Sequence, residues 1–311
     1  MHIQQCHGSK SLDQRWFRLR RASAASPGIR AAALTKAEHD THLNEVGKTS
    51  SDLTMRWVLP AAVLLGMMLP VRAQTPASGC SVSLDQVRLA NPLARFAHNL
   101  VTGEPITIVA IGSSSTAGAG ASSAAASYPN RLAVELKQHF PNHSFTVINR
   151  GVGGEEVGDM VKRFDSAVVS AKPDLVLWQF GTNSVIYDHK IGDHDTSIHD
   201  GLKKIRSIGA DVVMIDPQFS PKVIVKADIA STIELIATTA KEEDVDLFPR
   251  FNVMKHWSEV DHIPFETFVS PDGLHMNDWG YACMAKGLGV AIAEAAQRPV
   301  VSAKAVSHLL H

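Results

Sequence analysis

Little in this sequence commits the chain to a charged, fibrous or membrane-bound existence. Acidic and basic residues nearly cancel, 31 against 30, for a formal charge of -1, so no global field draws the protein to nucleic acid or to an anionic membrane. Internal repeats, heptad runs and long low-complexity tracts are missing, which excludes a solenoid or an extended coiled coil. No apolar run reaches the ~20 residues that a bilayer-spanning helix needs. The longest, Trp57 to Val71, is broken by Pro60 and Pro70. Cysteine is scarce, at three in the chain. What is present is apolar material: 45% of 311 residues are hydrophobic, enough for one α/β domain of ~200 residues with additional segments.

Met55 and Arg56, the apolar run from Trp57, and the small residues Val71 and Ala73 follow the order of a secretory signal, with cleavage expected after Ala73. The mature protein is therefore expected to be exported, periplasmic or extracellular, without stable membrane insertion. Residues 1–54 are polar and rich in Arg, Ala and Ser, and Met55 is the expected start. The alternative is an Arg-rich targeting peptide, but Arg20 and Arg21 lie too far from the apolar run for a twin-arginine signal. Export removes Cys6 and leaves Cys80 and Cys283, a candidate pair whose approach two cysteines alone do not establish. The stretch ASGC ending at Cys80 resembles a lipoprotein box only faintly, since it stands too far past the apolar run and lacks leucine. The expected order is an extension (1–54), a signal (55–73), a lead-in (74–100) packed on the domain edge, a functional domain (101–297) and a tail (298–311).

From residue 101, apolar segments alternate with amphipathic ones. ITIVAIG, FTVIN, DLVLWQFG, DVVMIDP and VDLFP read as strands. YPNRLAVELKQHF, EEVGDMVKRFDSAV, IHDGLKKIRSIG and ADIASTIELIATTAKEE read as the helices between them, and WGYACMAKGLGVAIAEAAQ closes the domain. Strands that are apolar on both faces must be covered on both, so the expected architecture is a three-layer α/β/α sandwich around about five parallel strands, flavodoxin-like in type.

In such a sheet the connections leaving the carboxyl ends of the strands gather along one edge, where ligands bind. GSSST follows the first strand, NRGVGGEE the second and GTNS the third, while a long loop ending in SPDGLHMN follows the fifth. Singly, these are turn and cap residues. In order along one edge, they are a hydroxyl, a glycine loop, an Asn and an Asp-x-x-His, the parts of a hydrolase. On these blocks the chain resembles the SGNH (GDSL-like) hydrolase family over residues 106–290. Gly112-Ser113-Ser114-Ser115-Thr116 stands where that family has Gly-Asp-Ser-x-Thr, which makes Ser114 the expected nucleophile. Gly154 matches the second-block glycine, with adjacent Gly153 competing for the role, Gly181-Thr182-Asn183 matches Gly-x-Asn, and Asp272-Gly273-Leu274-His275 matches Asp-x-x-His. The resemblance implies a Ser114–His275–Asp272 triad, an oxyanion hole from the N–H groups of Ser114 and Gly154 and the amide of Asn183, and no metal or other cofactor.

The residue types suit that chemistry. A serine hydroxyl is a poor nucleophile until a base takes its proton, histidine does so near neutral pH, and an acid on the other imidazole nitrogen stabilises the imidazolium. A glycine lets a backbone amide approach the reacting carbonyl with no Cβ in the way. Two positions depart from the family pattern: Ser113 replaces the first-block Asp, and Ser184 replaces the Asp after the family's Asn. Neither belongs to the triad or the oxyanion hole, so the departures bear on rate and subfamily. Competing motifs fail: GVGGEE has Glu156 at the third glycine of a dinucleotide loop, no Gly-x-Ser-x-Gly elbow occurs, and VGKTS lacks the upstream glycine of a phosphate loop. His189, His194 and His199, five apart among aspartates, do not share one helical face and read as a solvated mouth rather than a metal site. Trp178 and Tyr187 flank the Asn block, with Trp178 expected in the core and Tyr187 free to stack on a sugar or an aromatic leaving group.

The expected function is a secreted serine esterase acting on small acyl esters, O-acetyl groups on carbohydrate among them. The alternatives are an acyltransferase with the same triad and a non-catalytic carbohydrate-binding protein. No nucleic acid partner is expected, and the sequence carries no sign of oligomeric state.

Overall fold

The computed structural model describes residues 79–299. The described residues all belong to one compact unit. The expected extension and signal lie outside the described residues, as does the tail beyond residue 299.

The sheet consists of β1 (Ile106–Gly112), β2 (Phe145–Gly151), β3 (Leu175–Gln179), β4 (Asp211–Ile215) and β5 (Asp246–Phe248). Every neighbouring pair is parallel, in the order β2-β1-β3-β4-β5. This order reverses direction between β1 and β3, and it is at the carboxyl ends of such a switch point that a crevice opens. The helices around the sheet include, in chain order, α1 (Ala94–Thr102), α2 (Ser114–Ala117), α3 (Tyr128–His139), α4 (Val157–Lys162), α5 (Thr182–Ile186), α6 (Asp195–Ser207), α7 (Ile229–Glu242), α8 (Arg250–Glu259) and α9 (Asp278–Gln297).

Alternation along each strand feeds two separate cores. On β1, Ile106, Ile108 and Ala110 join the cluster under α1, α3, α8 and α9, while Val109 and Ile111 join the one under α4, α6 and α7. β3 and β4 divide in the same way, with Leu175, Leu177, Val213 and Ile215 on the first side and Val176, Trp178, Val212 and Met214 on the second. Trp178 is thus core, packed against Phe164 and Phe180 at ring distances of 5.0 and 4.9 Å.

The lead-in and one expected loop carry more structure than their patterns suggested. Residues 79–100 do not merely edge the domain, because Val87, Leu89, Leu93 and Phe96 are buried in its core. Cys80 is disulfide-bonded to Cys283 on α9, with Cα atoms 5.7 Å apart across 203 positions of sequence. The connection after β5 contains α8, whose Val253, Met254 and Trp257 recur at helical spacing and are buried.

Candidate active site

β1 ends at Gly112 and the chain turns at once into α2, with Ser114 at the first helical position. A first-turn N–H has no acceptor within its own helix, so the Ser114 amide is a donor that α2 leaves unused. Gly151 at the end of β2 allows α2 to rest on the sheet, since a Cβ there would overlap the backbone nitrogen of Ala117. Asn149 secures the contact: its Nδ2 donates to the Thr116 carbonyl (2.7 Å) and its Oδ1 accepts from the Gly151 N–H (2.9 Å). From β3, the Gln179 side-chain Oε1 accepts from the Ser113 N–H (3.1 Å), the Ser113 hydroxyl (3.2 Å) and the Thr116 hydroxyl (3.1 Å). Serine at 113 therefore still pins the Ser114 turn, without a charge.

His275 arrives from the far end of the chain. A bridge between Val269 and Met276 closes the loop, and Asp272 organises it. Asp272 Oδ1 accepts from the Ser270 hydroxyl (2.7 Å) and from the N–H groups of Leu274 and His275 (both 2.9 Å), while Oδ2 meets His275 Nδ1 at 2.5 Å. His275 Nε2 lies 2.8 Å from Ser114 Oγ. Burial pushes the Asp272 carboxyl up, but the hydrogen bonds from His275, Ser270 and the two backbone N–H groups outweigh it and hold the group well below the ordinary carboxylate range.

The second block lies beside the Ser114 turn. The Val152 N–H donates to the Gly112 carbonyl (2.9 Å), which draws the glycine loop against the Ser114 turn. A Cβ on Gly153 would lie 3.8 Å from Ser114 Cβ, and one on Gly154 would lie 3.5 Å from the Tyr187 hydroxyl. Gly154 has φ +82°, a left-handed conformation that favours glycine. Asn183 is buried on α5 and its Nδ2 donates to the Glu155 carbonyl (2.8 Å), which ties α5 to the residue after Gly154. A side-chain amide carries two hydrogens, so the second is left for another acceptor. Arg163 holds the Glu155 side chain (Nε–Oε1 2.8 Å) and also donates to the Arg150 carbonyl (2.8 Å).

At the rim, His189 Nδ1 is 3.1 Å and His194 Nε2 is 3.4 Å from the Glu156 carboxylate, while His199 turns away to Glu243 (2.6 Å). Among the described residues no group of three or more His, Cys, Asp or Glu side chains is arranged to hold a metal ion. Tyr187 is 48% exposed, with its ring 5.9 Å from that of His189.

Sequence reasoning passed over a buried polar group near the site: Asp216 and Gln218 after β4, and Arg250 at the start of α8. Arg250 Nε donates to the Asp216 carbonyl (2.9 Å), and Asp216 Oδ1 accepts from the Phe251 N–H (2.9 Å). Burial pushes the Asp216 carboxyl up and draws the Arg250 guanidinium down, each opposed by the other's charge. The tell-tale was Asp-Pro-Gln at the same carboxyl edge as the other blocks, after the one strand whose exit carried no recognisable motif.

A parallel 2-1-3-4-5 sheet with serine, glycine, Asn and Asp-x-x-His blocks along its carboxyl edge is the SGNH-hydrolase type of α/β/α fold. The chain belongs to the non-GDSL lipase-like family, which it matches over residues 79–298, a description in keeping with Ser113 in the first block. Solved structures share the fold. A two-domain esterase, CEX, active on acetylated mannans and co-crystallised with mannopentaose, is similar at 20% identity with a TM-score of 0.58, over 72% of this chain and 60% of that one. A putative lipolytic protein of the G-D-S-L family from Desulfitobacterium hafniense DCB-2 is similar at 21% identity with a TM-score of 0.52, over 60% of this chain and 98% of that one. A catalytic mutant of Axe2, an acetylxylan esterase from Geobacillus stearothermophilus, is similar at 15% identity with a TM-score of 0.53, over 61% and 95%. The chain thus spans about three fifths of the two-domain esterase's length. No curated protein matches it closely.

Proposed function

We propose that this protein is an exported serine esterase that removes small acyl groups, O-acetyl groups on carbohydrate above all, through an acyl-enzyme. The observation that carries the reading is the unbroken line from Ser114 Oγ to His275 Nε2 (2.8 Å) and from His275 Nδ1 to Asp272 (2.5 Å). His275 takes the Ser114 proton as Oγ attacks the acyl carbonyl. The oxyanion that forms receives the N–H groups of Ser114 and Gly154 and the free amide hydrogen of Asn183. As it collapses, the sugar oxygen leaves with the proton from His275, and the acyl group remains on Ser114. Water then attacks, His275 takes its proton and returns it to Ser114, and the carboxylic acid departs. Asp272 stays ionised throughout, because its hydrogen bonds favour the charged form.

Family membership supports an ester hydrolase, and two structures of like fold act on acetylated mannan and acetylated xylan. The disulfide supports export, since such bonds persist in oxidising compartments. No helix among the described residues is long and apolar enough to cross a membrane.

Hydrolysis of a chromogenic acetyl ester, with fluorophosphonate labelling of wild type and Ser114→Ala, tests the reading. Turnover and label in the wild type should both vanish in Ser114→Ala at an unchanged Tm. Retained turnover in the variant would move the nucleophile elsewhere, and a folded wild type that takes no label would favour a binding protein.

A further inference from the structure

Gln218 is fully buried between three loops that come from three different strand ends. Its Oε1 accepts from the Thr182 hydroxyl at 2.9 Å and, more loosely, from the Ser115 hydroxyl at 3.4 Å, while its Nε2 donates to the Leu274 carbonyl at 3.2 Å. Each of these partners is the immediate chain neighbour of a residue in the proposed machinery: Ser115 follows Ser114, Thr182 precedes Asn183, and Leu274 precedes His275.

The orientation of the amide is determined by its partners. A carbonyl accepts and never donates, so the atom facing Leu274 must be the NH2 group. Arg250 has donors only, and its Nη2 lies 3.5 Å from Thr182 Oγ1, which leaves the Thr182 hydrogen for Gln218. The chain of donors therefore runs one way, from Arg250 through Thr182 and Gln218 to the histidine loop. A shorter residue could not bridge all three loops, and an apolar one of the same length would leave the buried Thr182 hydroxyl and the Leu274 carbonyl without this partner.

We propose that Gln218 is a positioning residue, which locks the nucleophile, Asn183 and His275 segments into one register and so preserves the Ser114–His275 distance during the reaction. This rests on the esterase reading above. It touches no substrate and acts through its three neighbours, so its loss lowers kcat and leaves ground-state binding almost intact.

The test uses 4-nitrophenyl acetate hydrolysis and the rate of fluorophosphonate labelling, with Tm beside them, for wild type, Gln218→Met, Thr182→Val and the double variant. Misplacing reacting groups by about 1 Å costs on the order of 10²-fold, so Gln218→Met should lower kcat and labelling rate together by about 10- to 100-fold with KM within about twofold. Thr182→Val should lose less, and the double variant should be no worse than Gln218→Met alone, because both changes cut the same link. Should the apolar variant not fold, Gln218→Glu supplies the reading. Its carboxylic acid can still donate to Leu274 when protonated, so its kcat relative to wild type should fall as pH rises and the acid ionises. A Gln218→Met protein with kcat within about twofold of wild type, losses that multiply in the double variant, or a pH-independent Gln218→Glu ratio would overturn the proposal. A wild type that neither turns over nor takes label overturns the esterase reading and this one with it, whereas an active wild type matched by Gln218→Met overturns this one alone.

Discussion

Asn183 shows how one side chain can serve two neighbours. It donates one amide hydrogen to the Glu155 carbonyl at 2.8 Å, which holds the glycine loop, and the proposed mechanism spends the other on the oxyanion. Removing one such donor typically costs ~10² to 10³ in kcat. Asn183→Ala is therefore expected to lower kcat by about that factor with a much smaller change in KM, measured on an acetyl ester. An effect confined to KM would make Asn183 a ground-state binder instead. At this scale Ser114, Asp272 and His275 were legible because each sits in a short motif of distinctive letters. Gln218, Asp216 and Arg250 were not, because a lone Gln or Arg acquires meaning only from what it faces after folding.

The element on which the site most depends is α2, a single turn held against β2 by the absence of a side chain at Gly151. A methyl group there meets backbone rather than a flexible side-chain end, so α2 must lift off the strand. Overpacking of this kind typically costs about 1–3 kcal/mol. Gly151→Ala should lower Tm and should also slow fluorophosphonate labelling, since lifting α2 displaces Ser114 from His275. A lower Tm with an unchanged labelling rate would mean that α2 moves without carrying Ser114 away. The strands were legible from their apolar runs, and the long helices from their periodicity. α8 was read as loop because its ten residues include Arg250, Asn252, Lys255 and His256, which mask the buried positions Val253, Met254 and Trp257.

For the whole molecule, the bond between Cys80 and Cys283 closes 203 positions of chain. Such a cross-link typically contributes about 2–4 kcal/mol by restricting the unfolded ensemble. Cys80→Ser is expected to lower Tm accordingly, and reductant should lower the wild-type Tm toward that of the variant; a Tm indifferent to both would mean that the bridge adds nothing. The dependence of stability on pH is also a property of the whole fold. Burial pushes the Asp246 carboxyl up to about 6, against the N–H groups of Asn91 and Ala90 that favour its charge. The unfolded chain ionises the same group near ~3.9, so between about pH 4 and 6 the native state holds the extra proton and stability falls as pH rises. Asp246→Asn keeps an acceptor for Asn91 and cannot ionise. Its Tm relative to wild type should therefore climb in the variant's favour from pH 4 to 6 and then level off; a constant difference across that range would show that Asp246 ionises normally in the fold.

By itself the sequence determined the secondary-structure rhythm, the parallel three-layer architecture and the four blocks that line one edge, because these follow from local periodicity and from short motifs. Only the tertiary structure decided what spans them. The 2.8 Å approach of His275 to Ser114 across 161 positions, the descent of α2 onto Gly151, and the bridge of Gln218 between three loops are contacts between residues distant in the chain. Their geometry is set by how the two cores pack on either side of the sheet, and no local pattern of letters records it.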